Sequence, residues 1–139
     1  MDSRTRTAFG LLVLSQAVHS IEEYLYRLYD VFGLTRFVSG LFSRDLATGF
    51  AIANAGIFAF GLWCYLVPVR HGRPSGRAVA WGWVVVELAN GVVHVLLAVV
   101  KGGYFPGLGT APLLFASSVY LASRLVSSPT PLTAPTGRA

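Results

Sequence analysis

The sequence is poor in charged residues, which make up only 12% of its 139 positions. Soluble domains usually carry about 25% charged residues, so this chain has too little charge to cover a water-facing surface. Hydrophobic residues make up 54% of it, and the mean hydropathy is +0.60. The length predicts a single domain, and the composition indicates an integral membrane protein.

Cysteine is also scarce, since Cys64 is the single one. One thiol excludes an internal disulfide framework and gives no information on the redox compartment. Acidic residues number six against 11 Lys and Arg, which gives a formal net charge of +5. The basic residues lie at the ends of apolar runs and not in one patch. That pattern argues against a nucleic-acid partner and is typical of residues that orient membrane helices.

Four apolar segments occur at about residues 7–28, 46–69, 78–100 and 108–126. Each has roughly the 20 residues that a helix needs to cross a bilayer core, and backbone groups in lipid must bond internally. The predicted fold is therefore an all-α, four-helix transmembrane bundle over residues 1–126. The connection 29–45 predicts a loop with a short interfacial helix. The Pro/Ser/Thr-rich tail, 127–139, is predicted to be disordered.

Lys and Arg are divided unequally between the two sides of such a bundle. Seven lie on the side of both termini and four on the other: Arg4, Arg6, Arg70, Arg73, Arg77, Arg124 and Arg138 against Arg27, Arg36, Arg44 and Lys101. The positive-inside rule then predicts both termini in the cytoplasm of a multi-pass protein of the cell membrane.

Ionisable side chains within the predicted spans mark the candidate site: His19, Glu22, Glu23, Glu87 and His94. Such groups are costly in lipid unless they are paired or hydrated, and they usually serve a function. Successive helical residues turn by about 100°, so His19, Glu22 and Glu23 share one face of the first segment.

Polar residues of three segments are predicted to lie at one depth. Glu87, Asn90 and His94 are spaced by three and four residues, which places them in one stripe of the third segment. At a rise of about 1.5 Å per residue, this stripe reaches the level of His19 and of Asn54 in the second segment. The predicted polar layer lies between the bilayer centre and the outer surface.

Imidazole and carboxylate groups together favour a divalent metal such as Zn, Fe or Mn. The predicted ligands are His19, Glu22, Glu23, Glu87 and His94, with Glu22 and Glu87 also the candidate catalytic residues. One alternative is metal-free acid–base chemistry on an apolar lipid or isoprenoid. Another is a proton-coupled transporter or transporter subunit, which with four helices would have to form a homo-oligomer. The predicted partners are the bilayer and an apolar small molecule.

Glu22 and Glu23 are predicted to differ in importance. Arg27 follows Glu23 by four residues, the spacing of a favourable helical ion pair. Glu22 has no such basic neighbour, and an unpaired carboxylate at this depth needs a proton or a partner from another helix. Glu22 is therefore predicted to be the more committed site residue and Glu23 the more tolerant one.

Three short motifs follow one another along the chain. Residues 19–23 read H-x-x-E-E, residues 87–94 read E-x-x-N-x-x-x-H, and residues 104–107 resemble Y-x-P-G, beginning with Tyr104. Over about residues 8–126 the sequence resembles the HXXEE-domain family of small integral membrane proteins. The resemblance implies that the motif residues form the site, and it implies no particular activity.

Overall fold

The computed structural model of the protein describes residues 1–127, which form six α-helices, one π-helical turn and no strand. The helices are α1 (Ser3–Leu25), α2 (Leu28–Val31), α3 (Gly33–Phe42), α4 (Leu46–Cys64), α5 (Gly76–Lys101) and α6 (Ala111–Ser127). The π-helical turn Tyr65–Val69 continues α4. The predicted all-α class is thus confirmed. The predicted disordered tail lies outside the described residues, apart from Ser127, which ends α6.

Local sequence explains several of the helix ends. The Asp2 carboxylate accepts a hydrogen bond from the Thr5 backbone N–H at 2.6 Å and so caps α1. Asp45 caps α4 in the same way through the Thr48 N–H at 3.1 Å. Gly102 ends α5 with a φ of +66°, a left-handed conformation that glycine adopts without strain. These caps fix where the long helices begin and end.

Residues 28–42 form two short helices where the sequence predicted a loop with one short helix. α3 packs against α4, and the two backbones approach closely at Gly49. A Cβ atom on Gly49 would collide with the Ser39 carbonyl group. The outer face of α3 remains exposed and apolar, with Leu34, Phe37 and Leu41 all more than half exposed.

The long helices do not form an evenly packed bundle. α1 contacts α4 and α6, while α5 packs mainly against α6. α5 contacts the π-helical turn that continues α4 more than it contacts α4 itself. Pro68 lies within this turn and has no backbone N–H to donate. α4 and α5 therefore diverge from the turn that joins them, and a cleft opens between them.

Most of the buried apolar side chains form one cluster near the beginning of α1 and the end of α6, which we call the apolar half. Its members are Ala8, Phe9, Leu12, Val13, Cys64, Val69, Ala80, Trp83, Val84, Leu114, Leu121 and Leu125. A smaller cluster lies at the other end and consists of Leu28, Tyr29, Phe50, Ala98 and Phe105. The predicted site residues lie between these two clusters or beside the smaller one.

Two helical segments among the described residues are long and apolar enough to cross a membrane by length and composition. They are Leu46–Val69 and Gly76–Lys101. Ala111–Ser127 is apolar but shorter.

Candidate metal centre

α1 and α5 bring two imidazoles and one carboxylate together. Glu23 Oε1 lies 3.0 Å from His94 Nε2 and 3.4 Å from His19 Nε2. His19 can reach the Glu23 carboxylate because a four-residue spacing places the two side chains on one face of α1. All three side chains are buried, and one ligand atom from each lies within 4.8 Å of the other two. We call these residues the His–Glu cluster.

The second ring nitrogen of His94 fixes the tautomer of that ring. His94 Nδ1 lies 2.6 Å from the Pro106 carbonyl oxygen. A carbonyl oxygen can only accept a hydrogen bond, so the proton of a neutral His94 resides on Nδ1. Its Nε2 then presents a lone pair to Glu23.

His19 is fixed in the same way through a longer chain of hydrogen bonds. His19 Nδ1 lies 2.8 Å from the Thr110 hydroxyl, and that hydroxyl donates its single hydrogen to the Glu22 carboxylate. Thr110 must therefore accept from His19 Nδ1–H. The buried Nε2 of His19 has no hydrogen-bond partner within residues 1–127, and in the neutral ring it also presents a lone pair to Glu23.

Three electron-pair donors thus face one another across a few ångströms. Buried acceptors that meet without a proton repel one another, so a cation or a shared proton has to lie between them. Two His nitrogens and one carboxylate oxygen form a common ligand set for zinc and similar metals. Metal-binding imidazoles usually donate their other N–H to a carbonyl, carboxylate or water. His94 does so directly to a carbonyl, and His19 reaches a carboxylate through Thr110.

Glu22 points away from the cluster towards the beginning of α6. Its carboxylate accepts from the backbone N–H groups of Gly109 at 2.9 Å and Thr110 at 2.7 Å. The hydroxyls of Tyr104 and Thr110 donate to it as well. Free amides at a helix N-terminus favour an anion, so Glu22 fastens α1 to the 102–110 loop. Partial burial and donation to Glu22 raise the pKa of the Tyr104 phenol.

The 102–110 loop closes over both imidazoles. Gly107 has a φ of +93°, and a Cβ atom there would lie 2.5 Å from His94 Nδ1 and 2.9 Å from His19 Cε1. The Phe105 ring packs against His94 with their centroids 5.7 Å apart. The loop can therefore approach the histidines only with glycine at this position.

The remaining predicted site residues lie outside the His–Glu cluster. Glu87 is buried and lies seven residues before His94 along α5, near enough to Glu23 for their charges to interact. Glu87 and Asn90 both line the cleft between α4 and α5. Asn54 accepts a hydrogen bond from Ser20 at 2.7 Å and so links α4 to α1.

Residues 10–121 match the model of a family described as proteins of unknown function with an HXXEE motif. The chain belongs to the HXXEE family. The matched stretch includes the cluster and the loop that covers it, and it confirms the family predicted from the motifs. No curated protein and no solved structure matches the chain significantly. Within the HXXEE motif itself, the first and last residues, His19 and Glu23, contribute to the cluster.

In the structure, Glu23 and not Glu22 lies with the two histidines, whereas the sequence predicted Glu22 as the more committed site residue. Glu22 is bound by the loop instead. The predicted pairing of Glu23 with Arg27 is not formed because α1 ends at Leu25. Arg27 adopts a left-handed conformation with a φ of +57° and pairs with Asp30 at 2.6 Å.

Thr110 and the backbone of Pro106 were not predicted to take part in this HXXEE site. The sequence does carry a signal for Thr110, because Gly-Thr before an apolar run indicates a helix N-terminus. Such an N-terminus can bind a carboxylate from another helix. Nothing in the sequence indicates that the Pro106 carbonyl would accept from His94.

Proposed function

We propose that this HXXEE protein binds one divalent cation through Glu23 and the Nε2 atoms of His19 and His94. The proposal rests on the close approach of Glu23 Oε1 to the Nε2 atoms of His19 and His94. Hydrogen bonds at the two Nδ1 atoms fix the tautomers, so that both Nε2 atoms are acceptors. Zn, Fe and Mn are the metals that such a ligand set suits best. Three protein ligands leave a coordination position open, which is the arrangement of catalytic zinc sites. A water or substrate oxygen would bind there.

The protein is proposed to be a four-span membrane protein, with α1, α4, α5 and α6 as the spans. Helices in the core of a soluble protein are mostly buried, but the most apolar windows of Leu46–Val69 and Gly76–Lys101 are only 17% and 28% buried. α1 and α6 also expose apolar side chains, among them Leu14, Ile21 and Phe115. Such an apolar exterior fits lipid better than water.

The His–Glu cluster is proposed to lie near the outer surface of the cell membrane. His19 and Glu23 lie in the last two turns of α1, and the loop that covers them joins α5 to α6. We infer that the opposite end, which carries the excess of Lys and Arg, lies with both termini in the cytoplasm.

Metal analysis of the protein purified in detergent tests the cation site. The wild-type chain should bind about one equivalent of Zn²⁺, Fe²⁺ or Mn²⁺, and His94→Ala should lose it because one of three ligands is removed. His71→Ala is the matched control, since His71 is exposed in the turn after α4 and far from the cluster in the chain. Equal metal content in wild type and His94→Ala would overturn the proposed site.

A metal-free acid–base site is the second candidate, because a shared proton would also relieve the contact between the three acceptors. The distance of 3.0 Å from Glu23 to His94 is within the range of an N–H···O hydrogen bond. This site would act on an apolar lipid or isoprenoid. A purified protein that binds none of the three metals, yet loses activity in His94→Ala, would favour it.

Cysteine labelling tests the topology in a Cys64→Ser background. Gly40→Cys and Gly103→Cys should react with a membrane-impermeant maleimide in intact cells, since both positions are exposed on the proposed outer side. Arg73→Cys should react only after permeabilisation. Labelling of Arg73→Cys in intact cells would reverse the orientation, and labelling at all three positions would exclude four spans.

A further inference from the structure

The cleft between α4 and α5 has a volume of about 460 Å³. Its walls are mostly apolar or aromatic and include Ile57, Phe60 and Trp83. Sites for small molecules usually enclose about 300–1,000 Å³ and place a few polar groups in apolar walls. The polar residues that line this cleft are Gln16 and the Glu87–Asn90 pair, so the cleft has the composition of a binding site.

The side-chain amide of Gln16 has an unpaired acceptor, and the hydrogen bonds of neighbouring residues identify this acceptor as the oxygen. Asn54 Nδ2 donates to the Phe50 carbonyl at 3.0 Å, so Asn54 Oδ1 is left to accept from the Ser20 hydroxyl at 2.7 Å. Ser20 has then used its single hydrogen and can only accept from Gln16 Nε2, at 3.1 Å. Gln16 Oε1 is therefore the free end, and it is buried without a hydrogen-bond partner within residues 1–127.

Glu87 also lines this cleft, and it carries a second unpaired acceptor. The residue is only 3% exposed, and its Oε2 has no donor in the part of the chain that the structure describes. Its polar neighbours are the Asn90 amide and the Glu23 carboxylate, and neither of these supplies a positive charge. Buried acceptors without a donor are uncommon, and two of them on residues that line one cleft favour a ligand that brings donors.

We propose that the cleft binds a membrane-soluble, long-chain primary amine. Its ammonium head would donate to Gln16 Oε1 and Glu87 Oε2, while its chain lies along Ile57, Phe60 and Trp83. An ammonium group carries three N–H donors and a positive charge, whereas an alcohol carries a single O–H donor and no charge. The ammonium head group can therefore donate to both acceptors, and its charge complements the Glu87 carboxylate. This amine site is separate from the proposed cation site, because it includes neither His19, His94 nor Glu23.

Binding of dodecylamine and dodecanol to the full chain in detergent micelles tests this site. The readout is the emission of Trp83 in a background in which Trp63 and Trp81 are replaced by Phe. At equal mole fraction in the micelle, dodecylamine should bind at least about tenfold more tightly than dodecanol, because charged hydrogen bonds are stronger than neutral ones. Equal affinities for the two compounds would overturn the proposal.

Variants of the two acceptors locate the head group. Glu87→Gln should weaken dodecylamine binding about tenfold and leave dodecanol binding unchanged, since only the amine uses the negative charge. Asp30→Asn is the matched control, because Asp30 pairs with Arg27 outside the cleft. Should Glu87→Gln fail to fold, Gln16→Met removes the other acceptor with little change of shape and should also weaken dodecylamine binding. Unchanged amine affinity in either folded variant would contradict the assignment.

His94→Ala separates this site from the proposed cation site. That variant should lose the metal and keep the affinity for dodecylamine, because His94 does not line the cleft. Loss of both would show that the amine binds at the His–Glu cluster, which would overturn the proposed cleft site. Metal retained in His94→Ala, with the preference for the amine intact, would count against the cation site alone.

Discussion

The two halves of the helical bundle are held together by different forces. In the apolar half, side chains such as Phe9, Leu12 and Leu114 are fully buried and have no polar atoms. In the half that contains the His–Glu cluster, the buried His19 and His94 rings are held by hydrogen bonds to Thr110 and to the Pro106 carbonyl of the 102–110 loop, and Glu23 contacts His94 of another helix. Apolar packing tolerates change in proportion to the volume lost, whereas an incomplete polar network leaves groups unsatisfied. Substitutions in the two halves should therefore disturb the protein in different ways, by leaving a cavity in the apolar half and by leaving polar groups without partners in the other.

Glu23→Gln should have the largest effect on metal binding. It removes the only charge in the proposed ligand set, so Zn²⁺ affinity should fall by more than about 100-fold, beyond the range of outer-shell partners. Glu22→Gln should lower affinity by about 10- to 100-fold, because Glu22 acts through Thr110 on the orientation of His19. Competition with a chelator of known affinity measures both variants. A larger loss in Glu22→Gln than in Glu23→Gln would restore the ranking predicted from the sequence.

Leu114→Ala tests the apolar half. A fully buried leucine replaced by alanine leaves a cavity, and the free energy of unfolding should fall by about 2 kcal/mol or more. The metal content of the folded fraction should stay at the wild-type value. Leu113→Ala is the matched control on the same helix, since Leu113 is 48% exposed and its loss leaves no cavity. Unfolding in a denaturing detergent, followed by circular dichroism, compares the two variants; equal losses would contradict the division into halves.

Gly107→Ala should disturb the polar half through the backbone. The new Cβ would lie 2.5 Å from His94 Nδ1, and alanine at a φ of +93° is strained. We expect the loop to move away from the histidines and Zn²⁺ affinity to fall about tenfold, which corresponds to about 1.4 kcal/mol. Gly103→Ala is the control, because a Cβ there meets nothing within 4 Å. Wild-type affinity in Gly107→Ala would show that the close approach of the loop does not hold the ligands.

Two of the four predicted segments agree closely with helices of the structure, because the boundaries of these two depend on local features. The predicted segment 46–69 coincides with α4 and its π-helical turn, and the predicted 78–100 lies within Gly76–Lys101. Apolar runs and turn residues determine these limits directly. Helical rise also predicted that His19 and His94 lie in one polar layer, and in the structure their ring centroids are 4.7 Å apart.

The sequence could not predict the partners that long-range contacts create. Arg27 has the spacing of a helical partner for Glu23, but the helix ends two residues earlier, and helix ends are difficult to locate from sequence. Glu87 shares a stripe with His94, yet seven residues of α5 correspond to about 10 Å of rise. The hydrogen bonds to Thr110 and Pro106 depend on how a loop folds back, which no local pattern of residues indicates.

Tyr104→Phe should have the smallest effect. It removes one of four donors to the Glu22 carboxylate while keeping the aromatic ring. Tyr104 is 51% exposed, so water screens this bond, and we expect the free energy of unfolding to fall by about 1 kcal/mol or less. Zn²⁺ affinity should change by less than the roughly tenfold lower limit for outer-shell partners.

The difference in stability between wild type and Tyr104→Phe should depend on pH in one direction. The pKa of the Tyr104 phenol is raised in the folded protein, so the protonated phenol stabilises the fold. This contribution is complete below the unfolded pKa of about 10 and is lost as the pH rises from there towards the folded pKa. Unfolding measured at pH 8, 9 and above about 10 should therefore give a constant difference at the two lower values and a smaller one beyond. A difference that grows in alkali would show that Tyr104 does not donate to Glu22, and the hydrogen-bonded link between α1 and the loop would then rest on Gly109 and Thr110 alone.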